Sequence, residues 1–182
     1  MLIAFGLLFG TAMVHAAPRP LIADKSRITF SVKEMGVSVS GRFSRFDAAI
    51  DLDPAKPETS SATLSVDIAS LTTGNADADT IALDAPWLDQ RAFPKATFVS
   101  SAVERSGDDR YTVRGTLTIR GKARAIVVPL TAAAQTDRGL VVRGGFTIRR
   151  SDFAIGGGEW NESGVVADEV PVSFELTLGA PH

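Results

Sequence analysis

Apolar and polar side chains alternate from Tyr111 to Leu130, and this pattern constrains the fold more than any other part of the sequence. In the first half of the segment the apolar residues occupy odd positions, with Gly115 as a gap, and polar residues occupy the even positions. A β-strand has a side-chain period of two, so such a segment has one buried face and one solvated face. The pattern predicts an antiparallel hairpin whose two strands share one apolar face.

The turn of this hairpin is predicted at Gly121 and Lys122, as a two-residue type II′ turn. Glycine readily adopts the positive φ that the first central position of this turn requires. The resulting register pairs Leu117 with Ile126 and places Arg124 on the inner face, near the end of the hairpin. An arginine at such a rim either extends to solvent or contacts a ligand.

Short alternating segments of the same kind recur along the chain, separated by turns rich in glycine and proline. Between them, residues 76–90 have apolar side chains at helical spacing, which predicts one short helical insert. About eight half-polar strands with one helix indicate an all-β fold with an antiparallel sheet, either closed into a barrel or folded as a sandwich. A barrel of this size is filled by side chains or holds one small ligand.

Composition excludes several kinds of chemistry. The 182 residues contain no cysteine, and the two histidines are His15 and His182, so thiol and imidazole chemistry are absent from the body of the sequence. The formal charge is −2 without a basic stripe, so nucleic acid is a poor candidate partner. With 45% hydrophobic residues, the chain suits one globular domain.

The acidic segment that begins at Asn75 resembles the start of a calcium-binding loop. Asp77 and Asp79 follow at the spacing of such a loop, but Thr80 and Pro86 stand where the loop needs glycine and glutamate. A capped helix start explains the same residues, and we expect no metal site. A second acidic group could supply a carboxylate pair for hydrolysis, although charged residues beside strands are usually solvated. Its members are Glu159, Glu162, Asp168 and Glu169.

Residues 1–16 are predicted to be a secretory leader. The segment is apolar from Leu2 to Val14, shorter than the roughly 20 residues that span a bilayer, and it ends in Ala16 before Ala17. No lysine or arginine precedes the apolar stretch, which leaves open whether the true start lies upstream of Met1. We expect a mature domain of residues 17–182 in the periplasm, with retention of the leader as the alternative.

A series of short motifs in a fixed order is more specific than the alternation of apolar and polar residues. The motifs are Ser26-x-Ile28-x-Phe30-x-Val32-Lys33, Met35-Gly36-Val37, Gly41-x-Phe43, Ile68-x-Ser70-Leu71-x-Thr73-Gly74, Phe93-Pro94-x-Ala96-x-Phe98-x-Ser100, Gly115-x-Leu117-Thr118-Ile119 and Arg150-Ser151-Asp152-Phe153. Together they resemble the YceI-like family of secreted, lipocalin-like barrels that bind polyisoprenoid lipids. The segment from Ile155 to Val170 is similar to a branch found beside, or fused to, membrane cytochromes of the b561 type.

The resemblance implies an eight-stranded antiparallel lipocalin-like barrel that acts as a periplasmic carrier and not as an enzyme. The expected ligand is an isoprenoid lipid, either a polyprenyl chain or a ubiquinone-like quinone tail, and no other cofactor is expected. Arg124, Arg150 and Asp152 are the candidates for polar contacts near the mouth. The expected ligand-contacting residues are Phe30, Val32, Val39, Phe43, Leu64, Val66, Ile68, Leu83, Trp87, Phe98, Leu117, Ile119, Arg124, Ile126, Phe146, Phe153, Trp160 and Phe174.

Several alternatives remain open at this stage. The domain is a lipid carrier, or an interaction module with a filled core that docks on a b561-type cytochrome, or a carboxylate-based hydrolase. A homodimer is a further expectation. The insert, defined here as residues 76–93, either covers the mouth of the barrel as a lid or plugs its bottom. The pair formed by Arg150 and Asp152 is either a ligand contact or a structural ion pair.

Overall fold

The computed structural model of the protein describes residues 19–136, 139–157 and 165–180. The predicted leader and Trp160 lie outside these described residues, as do Glu159 and Glu162 of the second acidic group. Within the described ranges, no helix is long and apolar enough to cross a membrane.

Ten strands within the described ranges form one antiparallel sheet, ordered β3-β4-β6-β7-β8-β9-β10-β1-β2-β5. The strands are β1 (Arg27–Glu34), β2 (Val37–Phe43), β3 (Phe46–Asp51), β4 (Ser61–Asp67), β5 (Leu71–Thr72), β6 (Lys95–Gly107), β7 (Arg110–Ile119), β8 (Lys122–Ala134), β9 (Leu140–Arg149) and β10 (Glu169–Leu178). The all-β class is confirmed, but the strand number of eight is wrong. A two-residue strand such as β5 is too short for alternation to reveal.

The sheet curls into a half-barrel, so that its apolar inner face encloses the core. Phe46 of β3 and Ile28 of β1 lie on strands far apart in the sheet order, yet both belong to one buried cluster with Val113 of β7. This cluster fills one end of the half-barrel. A second, smaller cluster lies toward the other end, and its buried members are Leu117, Ile148, Phe153 and Ile155.

The hairpin of β7 and β8 has a different turn from the predicted one. Arg120 and Gly121 are the central residues, with φ of 49° and 67°, and two positive φ values are typical of a type I′ turn. Leu117 therefore pairs with Arg124, so the predicted pairing with Ile126 is wrong by two residues. A shift of two leaves every side chain on its predicted face, because the side-chain period is also two.

Arg124 keeps its predicted inner-face parity, opposite Leu117, but its side chain is exposed and does not line the cavity. Its Nη1 donates a hydrogen bond of 2.9 Å to the carbonyl oxygen of Ala123. The observed register places Arg124 three residues after Gly121, near the end of the hairpin, where a long side chain can reach solvent. The solvent-exposed orientation is the one that an arginine at a rim commonly adopts.

One α-helix, α1 (Ala76–Leu83), opens the insert. Asn75 caps it, since its side-chain oxygen accepts hydrogen bonds from the amides of Asp77 and Ala78 at 3.0 Å and 3.3 Å. The predicted helix start is confirmed. Helical geometry ends at Leu83, earlier than the spacing predicts, because Pro86 disfavours helical backbone at the residue before it. The rest of the insert is a series of turns.

Candidate functional site

An apolar cavity of about 310 Å³ lies inside the half-barrel. Its walls are aliphatic and aromatic side chains of β1, β2, β4, β6, β7, β9 and β10, and α1 covers one side. The volume is within the range of roughly 300–1,000 Å³ that is typical of small-molecule sites. The sheet order explains the arrangement, because strands from both ends of the order contribute their inner faces.

A larger groove of about 580 Å³ lies on the outside of the same sheet and differs in chemistry. Ser31, Ser40, Arg42 and Ser173 contribute polar groups to it. These residues have the opposite strand parity to the cavity-lining residues, so they belong to the solvated face. We regard the smaller, enclosed cavity as the candidate site because it combines apolar walls with shelter from water.

Most of the ligand-contacting residues that the sequence suggests do line this cavity. They are Phe30, Val32, Val39, Phe43, Leu64, Val66, Ile68, Trp87, Leu117, Ile119, Phe146 and Phe174. The ring of Phe30 lies across Gly41, where an added Cβ would come within 2.3 Å of the ring, and its centroid is 5.6 Å from that of Phe43. Strand parity thus places the aromatic residues that shape the cavity.

Five of the suggested residues do not line the cavity, for reasons of packing. Phe153 is buried in the second cluster, Phe98 and Ile126 pack between the two clusters, and Leu83 is half-buried on α1. Arg124 is exposed, as described above. Their placement as cavity-lining residues is therefore corrected.

Other lining residues are missed by the sequence reasoning. Ile148, Val170 and Val172 share the parity of Phe146 and Phe174, so the alternation contains a signal for them. The same holds for Ile28, Glu34 and Ala96, which share the parity of suggested residues on β1 and β6. Residues in short turns and in α1 have no such periodic signal, and those missed are Leu71, Thr73, Ala78, Ile81, Ala82, Leu88, Ile155 and Val166. Arg150, suggested as a polar contact near the mouth, does line the cavity.

Arg150 is a buried cation in the wall of the cavity, with only 4% of its surface exposed. Its guanidinium donates hydrogen bonds to the carbonyl oxygens of Ile155, Gly156 and Val166 at 2.9, 2.7 and 3.1 Å, and its Nε donates to Ala167 at 3.2 Å. A buried charge needs such compensation, because its desolvation is costly. These bonds fix the guanidinium at the boundary between the cavity and the segment after β9.

Trp87 of the insert lies over this guanidinium. The Cζ atom of Arg150 is 5.8 Å from the centroid of the indole ring, within the range of a cation–π contact. Gly156 makes the approach possible, since a Cβ there would lie 2.9 Å from Cζ3 of Trp87 and 3.0 Å from Nη1 of Arg150. The amide of Gly156 also donates a hydrogen bond of 2.9 Å to the carbonyl oxygen of Pro86, which ties the insert to the sheet.

Asp168 fixes the start of the segment that contains Arg150. Its carboxylate accepts hydrogen bonds of 2.9 Å from both the amide and the hydroxyl of Ser151. Burial acts to raise the pKa of Asp168, but these bonds and the charges of Arg150 and Arg149 outweigh it and lower the pKa. Asp152 itself is exposed. The polar contacts of this segment therefore centre on Asp168 and the backbone, which corrects the expected pairing of Arg150 with Asp152.

Asp79 plays a similar role at the start of the insert. Its carboxylate accepts hydrogen bonds from the hydroxyl and the amide of Thr73 at 2.7 Å and 2.6 Å, and from the hydroxyl of Thr72 at 2.9 Å. The Thr73 hydroxyl makes the largest contribution to a lowered pKa of Asp79. α1 is thereby joined to β5 at the edge of the cavity.

The chemistry of the site is that of a receptor for an apolar guest. Polar groups are few among the lining residues, and they are Glu34, Thr73 and Arg150. Among the described residues, no group of three or more histidine, aspartate or glutamate side chains is placed to hold a metal ion.

Comparison with known proteins places this fold in a family. The YceI-like domain matches residues 21–178. A protein of Pseudomonas savastanoi pv. phaseolicola, described as a UPF0312 protein, is 32% identical over 164 residues, which make up 83% of this chain and 85% of the relative.

Two solved structures have a similar fold. BcnA of Burkholderia cenocepacia superposes with a TM-score of 0.83 at 38% identity, over 86% of this chain and 98% of its own. A polyisoprenoid-binding domain from Saccharophagus degradans has a TM-score of 0.71 at 20% identity, over 92% of this chain and 100% of its own. Because the domain match spans all ten described strands, the chain belongs to the YceI-like domain family.

Proposed function

We propose that the protein is a carrier that holds an isoprenoid lipid, a polyprenyl chain or a quinone tail, in the apolar cavity. The observation that carries the proposal is the cavity itself, enclosed by aliphatic and aromatic side chains that the curled sheet brings together. The Saccharophagus degradans domain of similar fold is described as polyisoprenoid-binding, which supports the same class of ligand here. The periplasmic location and the cytochrome partner stay predictions.

The energetics of such binding are favourable. Each buried CH₂ group contributes about 0.8 kcal/mol, so about four isoprene units supply roughly 16 kcal/mol before costs. Ordering and association cost about 4–15 kcal/mol. Micromolar affinity corresponds to about 8 kcal/mol and is therefore within reach. Because this attraction is not directional, the shape of the cavity selects for chain width and length.

The few polar groups would position the head group of the lipid. Arg150 supplies a fixed positive charge in the wall, and Glu34 lies at the solvent-exposed end of β1. Glu34 and Ile81 are the exposed residues of the lining, so the cavity opens between the β1–β2 turn and α1. An isoprenoid would enter there, with α1 as the mobile cover.

A cavity-filling variant tests the proposal. Ala96→Phe places a ring into the cavity, because Ala96 is half-buried in its wall. Ala125→Phe adds the same ring at an exposed position of β8 and is the matched control. In titrations with geranylgeraniol, we expect the wild type and Ala125→Phe to bind and Ala96→Phe to lose affinity. Equal affinity of all three, with the Ala96→Phe fold verified by circular dichroism, would place the ligand elsewhere.

A further inference from the structure

The β1–β2 turn carries apolar side chains that local folding preferences do not explain. Met35 and Gly36 form this two-residue turn with φ of 47° and 81°, the pattern of a type I′ turn. The first position of such a turn favours asparagine, aspartate or glycine. Methionine gains nothing there from burial, since it is 76% exposed. A residue that is unfavourable both for the backbone and for solvation indicates a role outside folding.

The equivalent turn between β7 and β8 is a useful comparison. There the first central residue is Arg120, which also has a positive φ. Its guanidinium donates hydrogen bonds to the carbonyl oxygens of Ala154 and Ala85, so tertiary contacts explain the residue. Met35 projects into solvent instead.

Two further apolar side chains extend this surface toward the cavity. Val37 is 66% exposed and has the strand parity of Val39, which lines the cavity. Ile81 of α1 is 52% exposed and lines the cavity itself. We call Met35, Val37 and Ile81 the apolar rim. The rim continues the apolar lining outward to the surface on both sides of the opening.

The backbone holds the turn of the rim in place. The amide of Met35 donates a hydrogen bond of 2.7 Å to the carbonyl oxygen of Val165, and the amide of Ala167 donates one of 2.8 Å to that of Lys33. These backbone bonds fix the position of the turn relative to the neighbouring segment.

We infer that the apolar rim docks on a lipid bilayer, so that an isoprenoid passes between the membrane and the cavity without crossing water. The inference rests on the proposed function, because an isoprenoid guest must come from and return to an apolar phase. Three side chains on a turn, a strand end and a helix are too few for a stable protein dimer, which buries about 1,200–2,000 Å². They suit shallow insertion at a bilayer surface. The charges of Lys33 and Glu34 beside the turn confine the insertion to the head-group region.

The test uses a double variant that leaves the cavity lining intact. Met35→Asn suits the turn, and Val37→Thr keeps a β-branched residue in β2. The matched control is Val99→Thr with Val127→Thr, because these valines are 53% and 49% exposed on the outer face of β6 and β8. Each protein is measured for sedimentation with phosphatidylethanolamine–phosphatidylglycerol vesicles. We would also measure the transfer of a fluorescent geranylgeraniol analogue between such vesicles and the binding of free geranylgeraniol.

We expect the rim variant to lose vesicle binding and transfer rate by about tenfold or more, since membrane affinity scales with the apolar area inserted. Its binding of free geranylgeraniol should equal that of the wild type, and the control variant should behave as the wild type throughout. A wild type that binds geranylgeraniol but not vesicles, or a control variant that loses as much as the rim variant, would overturn membrane docking and leave the carrier intact.

Two other outcomes would also contradict the inference. A wild type that binds neither geranylgeraniol nor vesicles would overturn the carrier and, with it, the docking. Sedimentation velocity could show that the wild type is a dimer and the rim variant a monomer. That result would assign the rim to a second copy of the chain and overturn membrane docking.

Discussion

Trp87, Arg150 and Gly156 meet at one wall of the cavity, and each depends on the other two. The indole covers the guanidinium, the guanidinium donates to the carbonyl of Gly156, and the missing Cβ of Gly156 leaves room for both side chains. The buried cation is stable here because backbone carbonyls surround it. A small change at Gly156 should therefore disturb the whole wall.

Gly156→Ala is expected to lower the free energy of unfolding by about 1–3 kcal/mol, because its φ of 63° strains an alanine and the new Cβ meets Trp87 at 2.9 Å. Gly157→Ala is the control, since nothing lies within 4 Å of a Cβ at that position. Urea denaturation of both variants measures the difference. Equal stabilities would show that the wall tolerates a side chain at Gly156.

Acid sensitivity is a second expectation at the residue scale. The pKa of Asp79 is lowered in the folded protein, so its carboxylate stabilises the fold above the ordinary pKa of about 3.9. That stabilisation disappears as the pH falls below this value and through the folded-state pKa. Asp79→Asn should thus lower Tm at pH 6 and have less effect at pH 3, measured by circular dichroism. Asp108→Asn, at an exposed turn, is the control, and a pH-independent change in Asp79→Asn would contradict the mechanism.

At the scale of elements, the sequence predicts which face of a strand is buried better than it predicts the type of a turn. Alternation places Phe30, Phe146 and Phe174 on the inner face, because one period fixes the face of a whole strand. The turn of β7 and β8 is not determined locally, because Gly121 can occupy either central position. Arg120 occupies the turn because its side chain donates hydrogen bonds to Ala154 and Ala85, which are distant in the sequence. A local sequence pattern contains no information about such contacts.

The insert is also only partly predictable from local sequence. Helical spacing predicts its helix, and Asn75 marks the start, but its length and its contacts depend on Pro86 and on the distant Gly156. Arg150 is the clearest example, since a charged residue after a strand usually remains in solvent. Here the backbone carbonyl groups of Ile155, Gly156, Val166 and Ala167 make burial possible.

Trp87→Ala tests the role of the insert as a lid. Trp87 is half-buried and lines the cavity, so its loss should cost less than the roughly 3–5 kcal/mol of a fully buried tryptophan. Opening that wall should speed the dissociation of geranylgeraniol severalfold. Stopped-flow displacement and urea midpoints are measured on the same variant. A large loss of stability with an unchanged dissociation rate would identify the insert as a plug.

The whole molecule combines a filled end and an open end in one curled sheet. The larger cluster fills one end, and the cavity extends from it toward the end that α1 covers, sharing Ile28 and Val66 with the cluster. Arg150 and the apolar rim lie toward the covered end. The space left between the packed core and α1 is the feature on which the proposed carrier function depends.

Native mass spectrometry of the wild type, purified from its own host without detergent, tests that function most directly. We expect the folded protein to carry an added mass that dissociates on activation and matches an isoprenoid lipid. The added mass should be absent or reduced in Ala96→Phe, whose cavity is filled. The account would be contradicted if the wild type were detected only at the mass of the bare chain and also bound no added geranylgeraniol.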